Sequence, residues 1–175
     1  MRDATARCAA GRWDGGETIS GSQIGASHFH ERAVSYEAWE KSVPPTITGD
    51  PLWRLRVYRA ALYAGELGHR DADYLSRRQG CAEIASELAR STGAISAHIA
   101  KGYSCLGSRD RIQHYEYALG AAKESRDWYF KVRGVLGQGA GDSRLSLHTT
   151  IIKVLVALMT KARGPGAGRK APAAM

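Results

Sequence analysis

Apolar residues recurring at helical spacing, in four blocks bounded by glycine, constrain this chain more than any other feature. The clearest block is Cys81, Ile84, Leu88, Ile95 and Ile99, with steps of three, four, seven and four residues. That spacing keeps one face of an α-helix apolar. It predicts a helix from about Tyr74 to Lys101, stopped by Gly102 in a left-handed conformation. Before it, Asp50-Pro51 supplies an N-cap and a first-turn proline, and Leu55, Tyr58, Leu62 and Gly65 share a face. Gly68 is expected to end that helix.

After it, Ser108 can cap a third helix, with Asp110 near its positive end. Ile112, Tyr115, Leu119, Ala122, Tyr129, Val132 and Leu136 form its seam. Gly134, Gly137, Gly139 and Gly141 are expected to break the chain. Asp142 or Ser143 then caps a fourth helix, whose stripe is Leu145, Ile152, Leu155 or Val156, and Met159. Tyr36 to Lys41 forms at most a short turn of helix before Pro44-Pro45. No alternating strand pattern and no internal repeat occurs. The expected fold is all-α: an antiparallel up-and-down four-helix bundle over residues 35–163.

Residues 1–34 lack periodicity and large apolar side chains, so they read as a disordered extension or as an over-called start, with translation from a valine codon at Val34. Residues 164–175 read as a disordered tail. At 175 residues, one domain is the default. Cys8, Cys81 and Cys105 are an odd, widely spaced set, which argues against a disulfide framework. With no signal-peptide pattern at the start, this points to a reducing, cytoplasmic setting. The apolar run from Ile151 to Met159 is too short to span a bilayer, so no membrane partner is expected.

The formal net charge is +8. From Asp50 onward, 20 Lys or Arg face 11 Asp or Glu, whereas the segment before has 5 against 6. The helical part therefore carries all the excess, which raises the prior for a polyanionic partner. The bland alternative is a solvated basic surface.

The run Ile95-Ser96-Ala97-His98-Ile99-Ala100-Lys101-Gly102-Tyr103 and the later Ala118-Leu119-Gly120-Ala121-Ala122-Lys123-Glu124 resemble the four helix bundle protein family. Its first-described members are encoded by intervening sequences within 23S rRNA genes. The family pattern is roughly S-I-x-A-N-I-A-E-G-Y followed by A-L-G-S-A-x-E. The matching positions are Ile95, Ala97, Ile99, Ala100, Gly102, Tyr103, Gly120 and Glu124. His98 stands where the family has Asn, Lys101 where it has Glu, and Ala121 where it often has Ser. Lys101 inverts a charge, so a contact made by that Glu is not preserved here. The resemblance implies a ring-shaped homo-oligomer, a pentamer, that binds nucleic acid without being an enzyme. One branch accompanies diversity-generating reverse transcriptases, so a reverse transcriptase is a further partner implied by the resemblance.

Candidate sites carry weak signals. Glu66-x-x-His69 has the spacing of a di-metal bundle ligand pair, but it occurs once where two copies are needed, so neither metal nor cofactor is expected. Gly137-x-Gly139-x-Gly141 follows a helix and lacks the Lys-Ser of a phosphate loop. No convergent catalytic set appears around His98 or His114. Arginine is the strongest chemistry, because its fork matches phosphate oxygens. Arg54, Arg56, Arg59, Arg90, Arg109 and Arg111 are the candidates for nucleic-acid contact. Trp128, Tyr129 and Phe130 are consecutive and cannot all face one core, so Tyr117, Trp128 and Phe130 are candidates for a subunit interface. The leading expectation is a non-enzymatic oligomeric scaffold that binds RNA or DNA. The rival is a protein-protein adaptor for an acidic partner.

Overall fold

The computed structural model describes residues 35–163, and the calls on residues 1–34 and 164–175 lie outside them. Among the described residues the chain is all-helical. Two short helices, α1 (Tyr36–Ser42) and α2 (Pro45–Thr48), and a 3-10 turn (Pro51–Arg54) precede four long helices. These are α3 (Arg56–Ser76), α4 (Ala82–Ser104), α5 (Ser108–Leu136) and α6 (Gln138–Arg163). Each long helix packs on the next, and α6 returns to touch α3 along a sparser seam. The links between them span residues 77–81, 105–107 and 137. Links that short force consecutive packed helices to run in opposite directions.

The expected stripes of α4 and α5 largely point inward, but in α3 the buried face is Val57, Ala61, Ala64 and Leu67, with Leu55, Tyr58, Leu62 and Gly65 half-buried beside it, and in α6 it is Ile151, Leu155 and Met159, with Leu145 and Ile152 half-buried and Val156 exposed. Ile95 and Ile99 of α4 meet Tyr115, Ala118 and Ala122 of α5 and Ile151 and Leu155 of α6 in one buried cluster. Ile84 and Leu88 meet Leu75, Tyr129 and Val132 in a second. α1 lies across α3: Trp39 is buried, its indole N–H donates to Glu66 at 2.5 Å, and its ring packs against Tyr63.

Three glycine expectations are corrected. α3 does not stop at Gly68. It continues to Ser76, and α4 starts at Ala82 and not near Tyr74. Gly68 is needed for a different reason: a Cβ there would lie 2.2 Å from Thr92 Oγ1 of α4. Gly102 is not a left-handed stop either. It lies within α4, which runs on to Ser104, and a Cβ would meet the Tyr115 ring at 2.7 Å. The glycine of the family-like motif thus brings α4 against α5. The run Gly137-x-Gly139-x-Gly141 is not a flexible connector. Only Gly137 breaks the helix, at φ 89°, and α6 begins at Gln138, before the expected caps Asp142 and Ser143.

Among the described residues Cys105 is free.

Gly102→Ala is expected to destabilise the fold by about 1–3 kcal/mol through overpacking against Tyr115. Gly93→Ala, on the same helix with nothing near the added Cβ, should instead stabilise by about 0.5–1 kcal/mol. Urea denaturation of the two variants separates close approach from helix propensity.

Candidate nucleic-acid interface

Because neighbouring helices alternate in direction, the start of α3, the end of α4, the start of α5 and the end of α6 share one end of the fold. Several of the expected arginines gather there. Arg54 closes the 3-10 turn, Arg56 opens α3 and Arg109 lies in the first turn of α5, all exposed. Lys101 and Lys161 are exposed at the same end. No carboxylate lies within ion-pairing distance of any of these five among the described residues. Arg111 is half-buried and donates Nη2 to the Cys105 carbonyl at 2.7 Å, which satisfies an open carbonyl beyond α4. Leu55, Tyr103, Arg111, Tyr115, Leu158 and Lys161 line a shallow groove. A second groove runs past Arg109, Gln113, Glu116 and Arg163.

Two of the carboxylates at this end are committed, while Asp110, beside Arg109 in the first turn of α5, is exposed without an ion pair among the described residues. Asp50 accepts from the Leu52 N–H at 2.7 Å, and Glu116 pairs with Arg163. At the opposite end three cations are matched, while Arg78 and Arg133 bond the Tyr74 hydroxyl and the Phe130 carbonyl and pair with no carboxylate among the described residues. Arg70 pairs with Glu66, Arg77 with Asp73, and Lys131 with Asp127. The first end therefore gathers five exposed cations that have no ion pair among the described residues.

Two of the candidate arginines are engaged elsewhere. Arg59 donates to Glu40 at 2.7 Å and lies over the Trp53 ring, which fastens α1 to α3. Arg90 pairs with Glu87 at 2.6 Å and also with Glu124, the glutamate of the family-like motif. That pair bridges α4 and α5 on an exposed surface. Arg90 Nη2 carries both contacts, so little of its fork remains for phosphate.

The aromatic candidates divide. Tyr117 is 49% and Phe130 54% exposed. Trp128 is half-buried against the second core cluster, under Lys131, whose Nζ lies 4.2 Å from the ring centre. The rings of His98 and His114 stack beneath Tyr117, with centroids 6.1 Å apart. Both histidine Nδ1 atoms are buried without a partner. Burial, with Lys101 and His114 nearby, lowers the pKa of His98, so His98 adds no charge to the surface near neutral pH.

Sequence reading missed a buried polar group between α3, α5 and α6. Arg144 Nε donates to Asp71 Oδ2 at 2.8 Å, and the Tyr129 hydroxyl donates to the same oxygen at 2.9 Å. Burial opposes the charge on Arg144, but the hydrogen bonds and charge of Asp71 outweigh it and raise its pKa. Burial, then Asp71, push the Tyr129 hydroxyl well above its usual value. His148 Nδ1 lies 2.8 Å from the Arg144 carbonyl and must donate to it, since a carbonyl only accepts. Its Nε2 is buried with no partner. Burial, reinforced by Arg144 and Arg126 against the opposing pull of that carbonyl and Asp71, lowers the His148 pKa from 6.5 to about 4.

No protein-family profile matches the chain, and no curated protein matches it. A solved structure is similar. It is the crystal structure of a protein of unknown function from the S23 ribosomal protein family of Bacteroides thetaiotaomicron, with a TM-score of 0.56 and 20% sequence identity. The match covers 59% of this chain and 97% of that one. At that identity the likeness shows a shared helical fold and nothing about activity.

Arg144→Met should cost about 3–5 kcal/mol, because it leaves Asp71 buried and unpaired. Replacing both, Asp71→Leu with Arg144→Met, should recover most of that loss in chemical denaturation. His148 is neutral when folded and binds a proton more readily when unfolded. Its stabilising contribution is therefore complete above about pH 6.5 and lost as pH falls from there through about 4. The loss approaches roughly 3 kcal/mol. Melting curves across that range should flatten in His148→Phe.

Proposed function

We propose that this chain is an antiparallel four-helix bundle that assembles with copies of itself, in a ring, and binds RNA or DNA as a non-enzymatic accessory factor. The observation that carries the binding half of this reading is the end formed by Arg54, Arg56, Lys101, Arg109 and Lys161. These cations are exposed and have no ion pair among the described residues, while Arg70, Arg77 and Lys131 toward the far end are paired. Unpaired arginines retain both the charge and the donor fork that phosphate oxygens require. The grooves at this end hold Tyr103 and Gln113 beside those charges, which suits an irregular polyanion.

Self-association is supported by what α6 leaves outside. By length and composition α6 is long and apolar enough to cross a membrane. Its buried stripe, Ile151, Leu155 and Met159, is nonetheless packed in the core. The outward positions include Val154, Ala157 and Val156, with Lys153 the charge among them. Val154 and Val156, each 40% exposed, lie on the two flanks of a face that also carries Thr150, Lys153 and Thr160, and exposed large apolar side chains of this kind suit a contact surface. A second copy would cover it, with Tyr117 of α5 as a further anchor.

Binding of labelled RNA and DNA should weaken linearly in log affinity against log salt, with a slope of roughly 0.7–0.9 per contacted phosphate. Arg54→Gln, Arg56→Gln and Arg109→Gln together should flatten that slope and leave the helices intact. Arg59→Gln should leave the slope unchanged, because Arg59 is committed to Glu40. Absence of binding to either nucleic acid at low salt would favour the adaptor reading, with an acidic protein at the same end.

Light scattering at micromolar concentration should give a mass of several chains. Val154→Asp with Val156→Asp should reduce it to one. A monomeric wild type would remove the ring from this reading.

A further inference from the structure

Away from the basic end, the outer face of α5 carries Lys123, Arg126, Phe130 and Arg133 at steps of three, four and three residues. These steps place all four on one stripe, about 15 Å long at the rise of an α-helix. The stripe borders a groove against α6, lined by Lys123, Arg126, Asp127, Phe130 and Leu145. Phe130 is 54% exposed at its centre. The guanidinium of Arg133 lies 3.9 Å over the Phe130 ring and is held there by a 2.7 Å hydrogen bond from Nη1 to the Phe130 carbonyl. Arg126 reaches across to Thr149 Oγ1 at 3.5 Å. The one carboxylate in the groove, Asp127, is neutralised by Lys131 at 2.7 Å.

We propose that this groove binds single-stranded nucleic acid, with a base stacked on Phe130 and the neighbouring phosphates held by Lys123 and Arg126. The assignment rests on the nucleic-acid reading above and narrows its ligand to unpaired strands. An exposed ring gains by stacking only on a base whose face is free, and a duplex hides its base faces. Arg133 holds the ring from one side, so the rest of its exposed surface is a rigid platform that needs little ordering on binding. A second copy is a poorer occupant. It would have to bury Lys123, Arg126 and Arg133 without any free carboxylate on this stripe to match them.

The test uses the full chain and fluorescence anisotropy with labelled oligothymidylate, oligouridylate and a DNA duplex of equal length. Phe130→Ala should weaken both single strands roughly ten-fold and leave the duplex unchanged. Phe130→Tyr should restore single-strand affinity. Lys123→Gln with Arg126→Gln should lower the salt slope for the single strands. Unchanged single-strand affinity in Phe130→Ala overturns the proposal while the basic-end reading stands, provided that the arginine variants at that end still flatten the slope. An equal loss on duplex and single strand overturns it too. So does a change of oligomer mass in Phe130→Ala, which would place Phe130 between subunits. Failure of the wild type to bind any of the three probes overturns both this proposal and the reading beneath it.

Discussion

The Asp71–Arg144 ion pair is the contact on which the rest of the arrangement hangs. It joins residues 73 positions apart, from α3 and α6, whose direct packing is otherwise the sparsest of the neighbouring pairs. Tyr129 of α5 completes it on the same carboxylate oxygen. Burying these charges costs free energy that the pairing only offsets, so the gain lies more in fixing one register than in raw stability. A shift of α6 by one residue would move Arg144 by about 100° around the helix and strand both charges.

That network also decides what the outside of α5 presents. With Tyr129 tied inward, its neighbours must point away from the core. Phe130 emerges beside Arg133, and Trp128 settles half-buried under Lys131. The surface then has three chemically distinct regions. The end around Arg54, Arg56 and Arg109 holds unmatched charge, the stripe on α5 combines charge with an aromatic ring, and the outward side of α6 exposes Val154 and Val156 around Lys153. Proposing phosphate, base and a second copy for them in turn assigns each region a partner of matching chemistry.

Much of the fold could be read from the sequence, because apolar periodicity reports burial directly. Ile84, Leu88, Ile95 and Ile99 face the core as their spacing requires, and Ala118, Ala122 and Leu155 meet them there. Glycine misled where its role was steric. At Gly68 and Gly102 the missing Cβ makes room for Thr92 and Tyr115 in a neighbouring helix, and no local pattern distinguishes that from a helix end. At Gly137 the positive φ is a true stop, and the nearby glycines only exaggerated its length. The candidate surface was legible in residue type and not in pairing. Arg54, Arg56 and Arg109 stand free, whereas Arg59 and Arg90 are occupied by Glu40 and by Glu87 with Glu124. Two of those contacts, with Glu40 and Glu124, span helices, as does the Asp71 network, so spacing within one helix could not forecast them. The i,i+3 contact of Arg90 with Glu87 was within reach of the sequence.

The brevity of the helix links has a kinetic consequence. α5 and α6 are joined through Gly137 alone, and α4 and α5 through three residues, so most packing contacts lie close along the chain. Folds dominated by local contacts close quickly, since each hairpin of helices loses little loop entropy as it forms. The Asp71–Arg144 bond, spanning 73 positions, belongs to the last closure, when α6 meets α3. It acts on the escape from the native state and not on its approach, so the pair governs how long the closed form persists once made.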